Sequence, residues 1–437
     1  MSPPSRLLRI IAALGAAAGL GTASAQEHGH HAAPAAGEGV LTLEAAVAAA
    51  LERNPDLAAA RERAAAAGEQ ARASGRFPAP DLVGQLWQQP LDDPFAFDQA
   101  NMWMLGVRQM IPAPGSRSLR ERAGRGDAAA READAESRGL DVVAGVRRAF
   151  AAYAHADREQ AIHRQHLVLN ERLVQLARQR FESASLSKRD VLRATFELSR
   201  LHADVSSVGQ RMRSSTALLA RLMASDPALP LPPPEQRSPA PASPDLAALE
   251  KSAEAGPGVA AAAREVAAAE AALEAARREA SWPDLMVGAD YGYMPMEDRH
   301  TYTLMLGLPL PWLSGARRDA VAAAERSLAA ARHALASARD EARYAVRESA
   351  ARVDAAREAL EILDRDLVPQ AQRSAEQAEN DLGTGGGNAM SVLEAFHTLL
   401  TVRLERSRAL LALEEASADL DRAAGVAWSP RAEGASR

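Results

Sequence analysis

The chain has no cysteine, which removes disulfides, thiolate chemistry and a lipid-modified cysteine from consideration. Aromatic residues make up only 4% of the 437 residues while charged residues make up 25%. That mixture is too poor in large rings for several compact cores and suits long helices packed side by side. The formal net charge is −6, so there is no basic surplus of the kind that meets a phosphate backbone, and nucleic acid is not expected as a partner. No Ser-His-Asp arrangement, catalytic carboxylate pair or nucleotide fingerprint stands out. "LGTGGGN" has the glycines of a phosphate cradle but lacks the Lys-Ser/Thr that should follow them. Neither an enzyme activity nor a cofactor is expected.

Long apolar runs are also missing. The stretch Leu7 to Leu20 is about fourteen residues, short of the roughly twenty that span a bilayer as a helix. Arg6 and Arg9 precede it and Ala23-Ser24-Ala25 follows, the order of a secretory signal peptide, assigned to residues 1–25. Residues 26–39 contain His28, His30 and His31 among small residues. They read either as weak metal ligands or as an unstructured mature N-terminus.

From Leu41 the chain turns alanine-rich, with apolar residues at three-and-four spacing such as Leu169, Leu173, Val174 and Leu176. Each such stripe predicts a helix that buries one face. The text is also repeated. Val191 in "RDVLRA" and Val392 in "MSVLEA" stand 392 − 191 = 201 positions apart, as do Gly106 in "LGVRQM" and Gly307 in "LGLPLP". Two repeats are therefore expected, at 40–223 and 247–426, followed by a tail at 427–437. A proline-rich linker at 224–246, which no helix could cross, joins them.

Each repeat is interrupted by alternating text. In "PDLMVGADYGYMPMEDRHTYTLMLGLPLPW", Leu285, Val287, Ala289, Tyr291 and Tyr293 share one face, and Tyr302, Leu304, Leu306 and Leu308 do so in the next run. Period two predicts strands at 284–293 and 301–310, and the matching text of the first repeat predicts strands at 81–89 and 101–110. About ten residues is the length that a tilted strand needs to cross hydrocarbon. Four strands cannot close a barrel, and an open edge in lipid leaves backbone groups unpaired. Further copies must complete such a sheet, and three copies give twelve strands. The other reading is a pair of soluble hairpins on a helical bundle.

Two smaller clusters invite a metal reading. His163 and His166 fall on one helical face, and Met102, Met104, Met294 and Met296 gather around the hairpins, where thioethers suit Cu(I) or simply fill space.

From "LTLEAAVAAALERNPDLAAAR" to "ADLDRAAGVA", the twice-repeated order of helix, two strands and long helical hairpin resembles the TolC-like outer-membrane efflux proteins. "LMLGLPLPWLSGARRDAVAAAERSLAAAR" is most similar to the heavy-metal efflux branch. The resemblance implies a mainly α fold with a small transmembrane β part. Long antiparallel helical hairpins would form a trimeric α-barrel, and four strands per chain would enter a 12-stranded barrel in the outer membrane. It implies a homotrimer in outer-membrane lipid, joined to a periplasmic adaptor and an inner-membrane pump of the resistance-nodulation-division type. The hairpin tips, near 183–189 and 382–390, would be the working ends. Ser391, Glu394 and Asp190 take the pore and gate positions, and Phe181, Leu186, Ser187, Leu382 and Gly383 take the adaptor-docking positions.

Overall fold

The computed structural model describes residues 39–88, 100–183, 186–237, 245–310, 315–384 and 389–426. The residues assigned to the signal peptide, and His28, His30 and His31, lie outside them. The first repeat runs α1 (Leu43–Arg53), α2 (Pro55–Ser74), β1 (Asp81–Trp87), β2 (Met102–Ile111), α3 (Ser116–Glu182) and α4 (Lys188–Leu222). The second runs α5 (Leu246–Glu254), α6 (Pro257–Ser281), β3 (Leu285–Met294), β4 (Arg299–Gly307), α7 (Ala316–Ile362), a π-helical turn (Leu363–Leu367), α8 (Val368–Thr384) and α9 (Ala389–Ala423). The architecture is mainly helical with one small antiparallel sheet.

Helix boundaries follow local chemistry. Thr42 Oγ1 accepts from Ala45 N at 3.2 Å to start α1, and Asn54 Oδ1 accepts from Asp56 N at 3.0 Å and Leu57 N at 3.2 Å to start α2, with Pro55 at the first helical position. At 67 residues, α3 is about 100 Å long at 1.5 Å per residue. It is the backbone of the chain, packing against α2, α4, α6 and α9. The descending arm of the second repeat is not one α-helix. Pro369 lacks the N–H of an i→i−4 bond, and its ring would strike the carbonyl of Arg365, so the preceding turn widens to π geometry.

Three apolar clusters hold the helices. One joins α1 to Val142, Val146, Phe150 and Tyr153 of α3 and to Leu219 of α4. Another joins Leu173 and Val174 of α3 to Leu382 of α8 and to Val392, Phe396 and Leu399 of α9. A third joins Val346 and Val353 of α7 to Leu413 and Leu420 of α9. Because α9 packs on α3 as well as on α7, the two repeats share one helical body. The half-buried Arg147 reinforces the joint by reaching Asp421 at 2.6 Å.

Part of the proline-rich linker is pinned to the first repeat. Leu41 N donates to Pro233 O at 2.8 Å, Glu235 N donates to Leu41 O at 2.9 Å, and the Tyr153 hydroxyl donates to Pro232 O at 3.0 Å.

Candidate functional site

The four strands form one sheet in the order β1-β2-β3-β4, every neighbour antiparallel. The two hairpins, about two hundred positions apart, thus merge through β2 and β3. The register aligns Leu82 with Val107, Leu105 with Tyr291, Ala289 with Leu304, and Tyr291 with Tyr302. Since alternate residues share a face, one side carries Leu82, Leu105, Val107, Tyr302, Leu304 and Leu306, all between 50% and 83% exposed. A contiguous apolar surface of this size on a soluble protein would be an aggregation hazard. The other side carries Gln85, Arg108, Asp290, Thr301, Thr303, four glycines and the strand methionines. Apolar outside and mixed inside is the pattern of a barrel wall in lipid. Strands β1 and β4 are the two edges, and neither has a second strand neighbour among the described residues.

Glycines set how closely the inner face packs. A Cβ placed on Gly106 would lie 1.7 Å from Asp290 Oδ1 and 3.0 Å from Ala289 O. Gly106 therefore leaves the space in which the Asp290 side chain, 6% exposed, lies across its neighbour strand.

At the far end of the helices, the first tip is closed by a reciprocal cap. Ser187 Oγ accepts from Asp190 N at 3.3 Å and donates to Asp190 Oδ2 at 2.6 Å. Ser187 is the N-cap of α4, and the Asp190 carboxylate holds its hydroxyl in place. Asp190, expected at the pore, thus has a local structural partner, as does Ser187, expected at the docking tip. Phe181 is 44% exposed and Leu186 is half-buried. In the second tip Gly383 is exposed, with nothing within 4 Å of its Cβ position. Leu382 departs from the expectation of an exposed docking residue. It is 2% exposed and packs in the cluster of Leu173, Val174 and Phe396, and its carbonyl accepts from Arg180. Helix α8 continues to Thr384, so Leu382 still obeys the helical stripe Ala371, Ala375, Leu382 that faces the core. Ser391 and Glu394 are both exposed on the first turns of α9, while Val392, Leu393, Ala395 and Phe396 are buried. Three residues apart, they share one helix face.

A polar seam crosses the interior of the helical body. His155 Nδ1 pairs with Ser407 Oγ at 2.9 Å, and Glu159 accepts from Arg211 at 2.9 Å. His163 and His166 are 4% and 0% exposed, and Asn170 Nδ2 donates to His166 O at 3.0 Å. Burial pulls all three imidazoles below their usual range, His166 to about 4, with the Arg403 guanidinium and His163 acting in the same direction on His166. Among the described residues no three His, Asp or Glu side chains converge as metal ligands, so the His163–His166 pair finds no third donor of that kind. The sequence had singled out these two histidines but not Glu159, Arg211 or Ser407, whose convergence depends on α4 and α9 meeting α3.

No helix among the described residues is long and apolar enough to cross a membrane. A sequence model of the family described as "Outer membrane efflux protein" matches residues 46–225 and 248–426, each repeat separately. A search among curated proteins finds no match. Solved structures agree in fold. The outer-membrane channel OprN superposes with a TM-score of 0.76 at 20% identity over 89% of this chain and 91% of its own. The outer membrane protein VceC of Vibrio cholerae gives 0.71 at 18% over 88% and 96%. CusC, whose structures describe transmembrane channel formation, gives 0.74 at 16% over 88% and 92%.

Proposed function

Because the chain belongs to the outer membrane efflux protein family, and so is a TolC-like outer-membrane channel and not an enzyme, we propose that it is the exit duct of a tripartite efflux system. In this reading three copies close their sheets edge to edge into a twelve-stranded barrel. The helices extend into the periplasm, where the tips meet an adaptor and, through it, a resistance-nodulation-division pump in the inner membrane. The duct is passive and the pump supplies the energy. The observation that carries this reading is the sheet, with one exposed apolar face and two edges, β1 and β4, that have no second strand neighbour among the described residues. Open edges in hydrocarbon leave backbone groups that cost several kcal/mol each, and joining β4 of one copy to β1 of the next removes every edge. The test is direct. The mature protein, fractionated and extracted in mild detergent, should sediment with outer membranes and run as a trimer. A periplasmic monomer with no protease-protected hairpins would sink the reading.

At the tips, the duct reading puts Ser391 and Glu394 near the axis, with Glu394 repeated in a ring. Carboxylates held close together repel one another and attract cations. Glu394→Gln is expected to lower cation selectivity of the reconstituted channel, and its block by divalent ions, without changing trimer yield. Unchanged selectivity and block would remove Glu394 from the pore. Asp190, tied to Ser187, contributes less to such a ring. The docking role passes from the buried Leu382 to Gly383, Phe181 and Leu186. Heavy-metal cations as the transported class rest on the similarity of the β4–α7 region to that branch.

A further inference from the structure

The strand methionines are not placed as packing alone would place them. Met102, Met104 and Met110 on β2, Met286 and Met294 on β3 and Met305 on β4 account for six of the chain's 11 methionines. The registers pair Met110 with Met286, Met104 with Gly292, Gly288 with Met305 and Met286 with Gly307. Alternation then puts all six on one face, the one opposite Leu105, Tyr302 and Leu304. Methionine is as suited to lipid as leucine, yet among the described residues none stands on the apolar face.

Met102, Met305 and Met286 lie beside glycines of the adjoining strands. A Cβ on Gly292 would meet Met102 Sδ at 2.9 Å, one on Gly288 would meet Met305 Cε at 3.4 Å, and one on Gly307 would meet Met286 Cβ at 3.4 Å. A Cβ at Gly292 would displace the Met102 thioether, whereas at Gly288 and Gly307 it would come into ordinary contact with the methionine. Thr301 Oγ1 stands 4.0 Å from Met102 Sδ. The formal charges of this face cancel, Asp81 and Asp290 against Arg108 and Arg299. Coulomb attraction therefore gives it no strong preference for cations in general, and sulfur is its distinguishing chemistry. Thioether sulfur is a soft, neutral ligand that favours Cu(I) over hard cations and binds without the tenacity of a thiolate. The chain contains no cysteine that would trap such an ion. Binding that is favourable yet weak is what passage through a pore requires.

We infer that these methionines form a thioether lining that binds soft monovalent cations, of the Cu(I) and Ag(I) class, as they traverse the barrel. The inference rests on the duct reading and names the substrate class of that same pore. The test uses the purified trimer in planar bilayers with a nitrate electrolyte. Micromolar Ag(I) should reduce the potassium current, reversibly on adding a thiol chelator, and Zn(II) at the same concentration should not. A variant carrying Met102→Leu, Met104→Leu, Met110→Leu, Met286→Leu and Met305→Leu conserves volume. It should conduct as the parent does without silver and need about tenfold more silver for the same block, about 1.4 kcal/mol of binding. Insensitivity of the parent, or equal sensitivity of the variant, overturns the inference. A second measurement does not depend on conduction: methyl resonances of labelled methionine in the detergent-solubilised protein should shift with Ag(I) for the strand methionines and not for Met212 or Met223 of the helical body. If no strand resonance shifts, the lining does not bind silver and the inference fails. Absence of any current, with these shifts present, would instead count against the duct.

Discussion

Leu304→Arg is expected to abolish the assembled channel, and Thr303→Arg, one residue away, to leave it largely intact. Both positions lie at the centre of β4, between Arg299 and Gly307. Leu304 is 76% exposed on the apolar face and aligned with Ala289. Thr303 is on the inner face and aligned with Asp290. An arginine on the lipid side near the bilayer midplane costs about 2–4 kcal/mol. In a closed trimer the charge appears three times, so the assembly loses about 6–12 kcal/mol, comparable with the whole stability of a typical domain. At Thr303 the same guanidinium enters the water-filled side and finds the Asp290 carboxylate across the strand pair. Trimer yield in mild detergent, compared between the two variants and the parent, reads the difference. Equal loss at both positions would mean that the faces are reversed or that the sheet does not face lipid.

The fold class was legible because two periods alternate in the text: three-and-four spacing for the helices and strict two for Leu285 to Tyr293 and Tyr302 to Leu308. Period two also separates Met102 and Met104 from Trp103 and Leu105. It could not place Met286 or Met305 beside them, because β2 and β3 belong to different repeats and their register is set only when the hairpins merge. Leu382 was misplaced by the glycines after it, which suggested that the turn had begun. The stripe from Ala371 through Ala375 marks it as core, since a helix that keeps its apolar stripe has not ended. The Ser187–Asp190 cap was written in the sequence as a serine followed three residues later by an acid. The gate position of Asp190 comes from the resemblance alone, and the cap does not bear on it. The π turn before Pro369 was not foreseen; proline announces a break but not whether the helix bends, stops or widens. The polar seam was least legible. It is assembled from α3, α4 and α9, and no local pattern in any one of them reveals the others.

That seam supplies the remaining large effect, an acid sensitivity centred on His166. The residue is 0% exposed, and neither ring nitrogen has a partner. Burial, the Arg403 guanidinium and His163 hold it neutral, with a folded-state pKa of about 4 against 6.5 when free. A base whose folded pKa is depressed binds its proton more readily in the unfolded chain, so its contribution to stability is complete above about pH 6.5 and declines as pH falls toward 4. The span is 6.5 − 4 = 2.5 units, about 3 kcal/mol at roughly 1.4 kcal/mol per unit. His163 and His155 are displaced the same way by burial. Glu414 and Glu415, which burial raises, act oppositely, taking up protons earlier in the folded state and offsetting part of the loss. A comparison with His166→Leu isolates the one histidine from these neighbours. At about pH 7 the variant should be as stable as the parent or slightly more so, because leucine fills the site without an unsatisfied polar nitrogen. On acidification the parent should lose up to about 3 kcal/mol relative to the variant, with most of the divergence between about pH 6 and 4. Denaturant midpoints of the helical signal for both proteins across that range measure the gap. Parallel curves would mean that His166 is already charged, or is hydrated, in the folded channel. A widening gap would locate the acid-sensitive step in the seam between the two apolar clusters of α3 and not at the tips or the sheet.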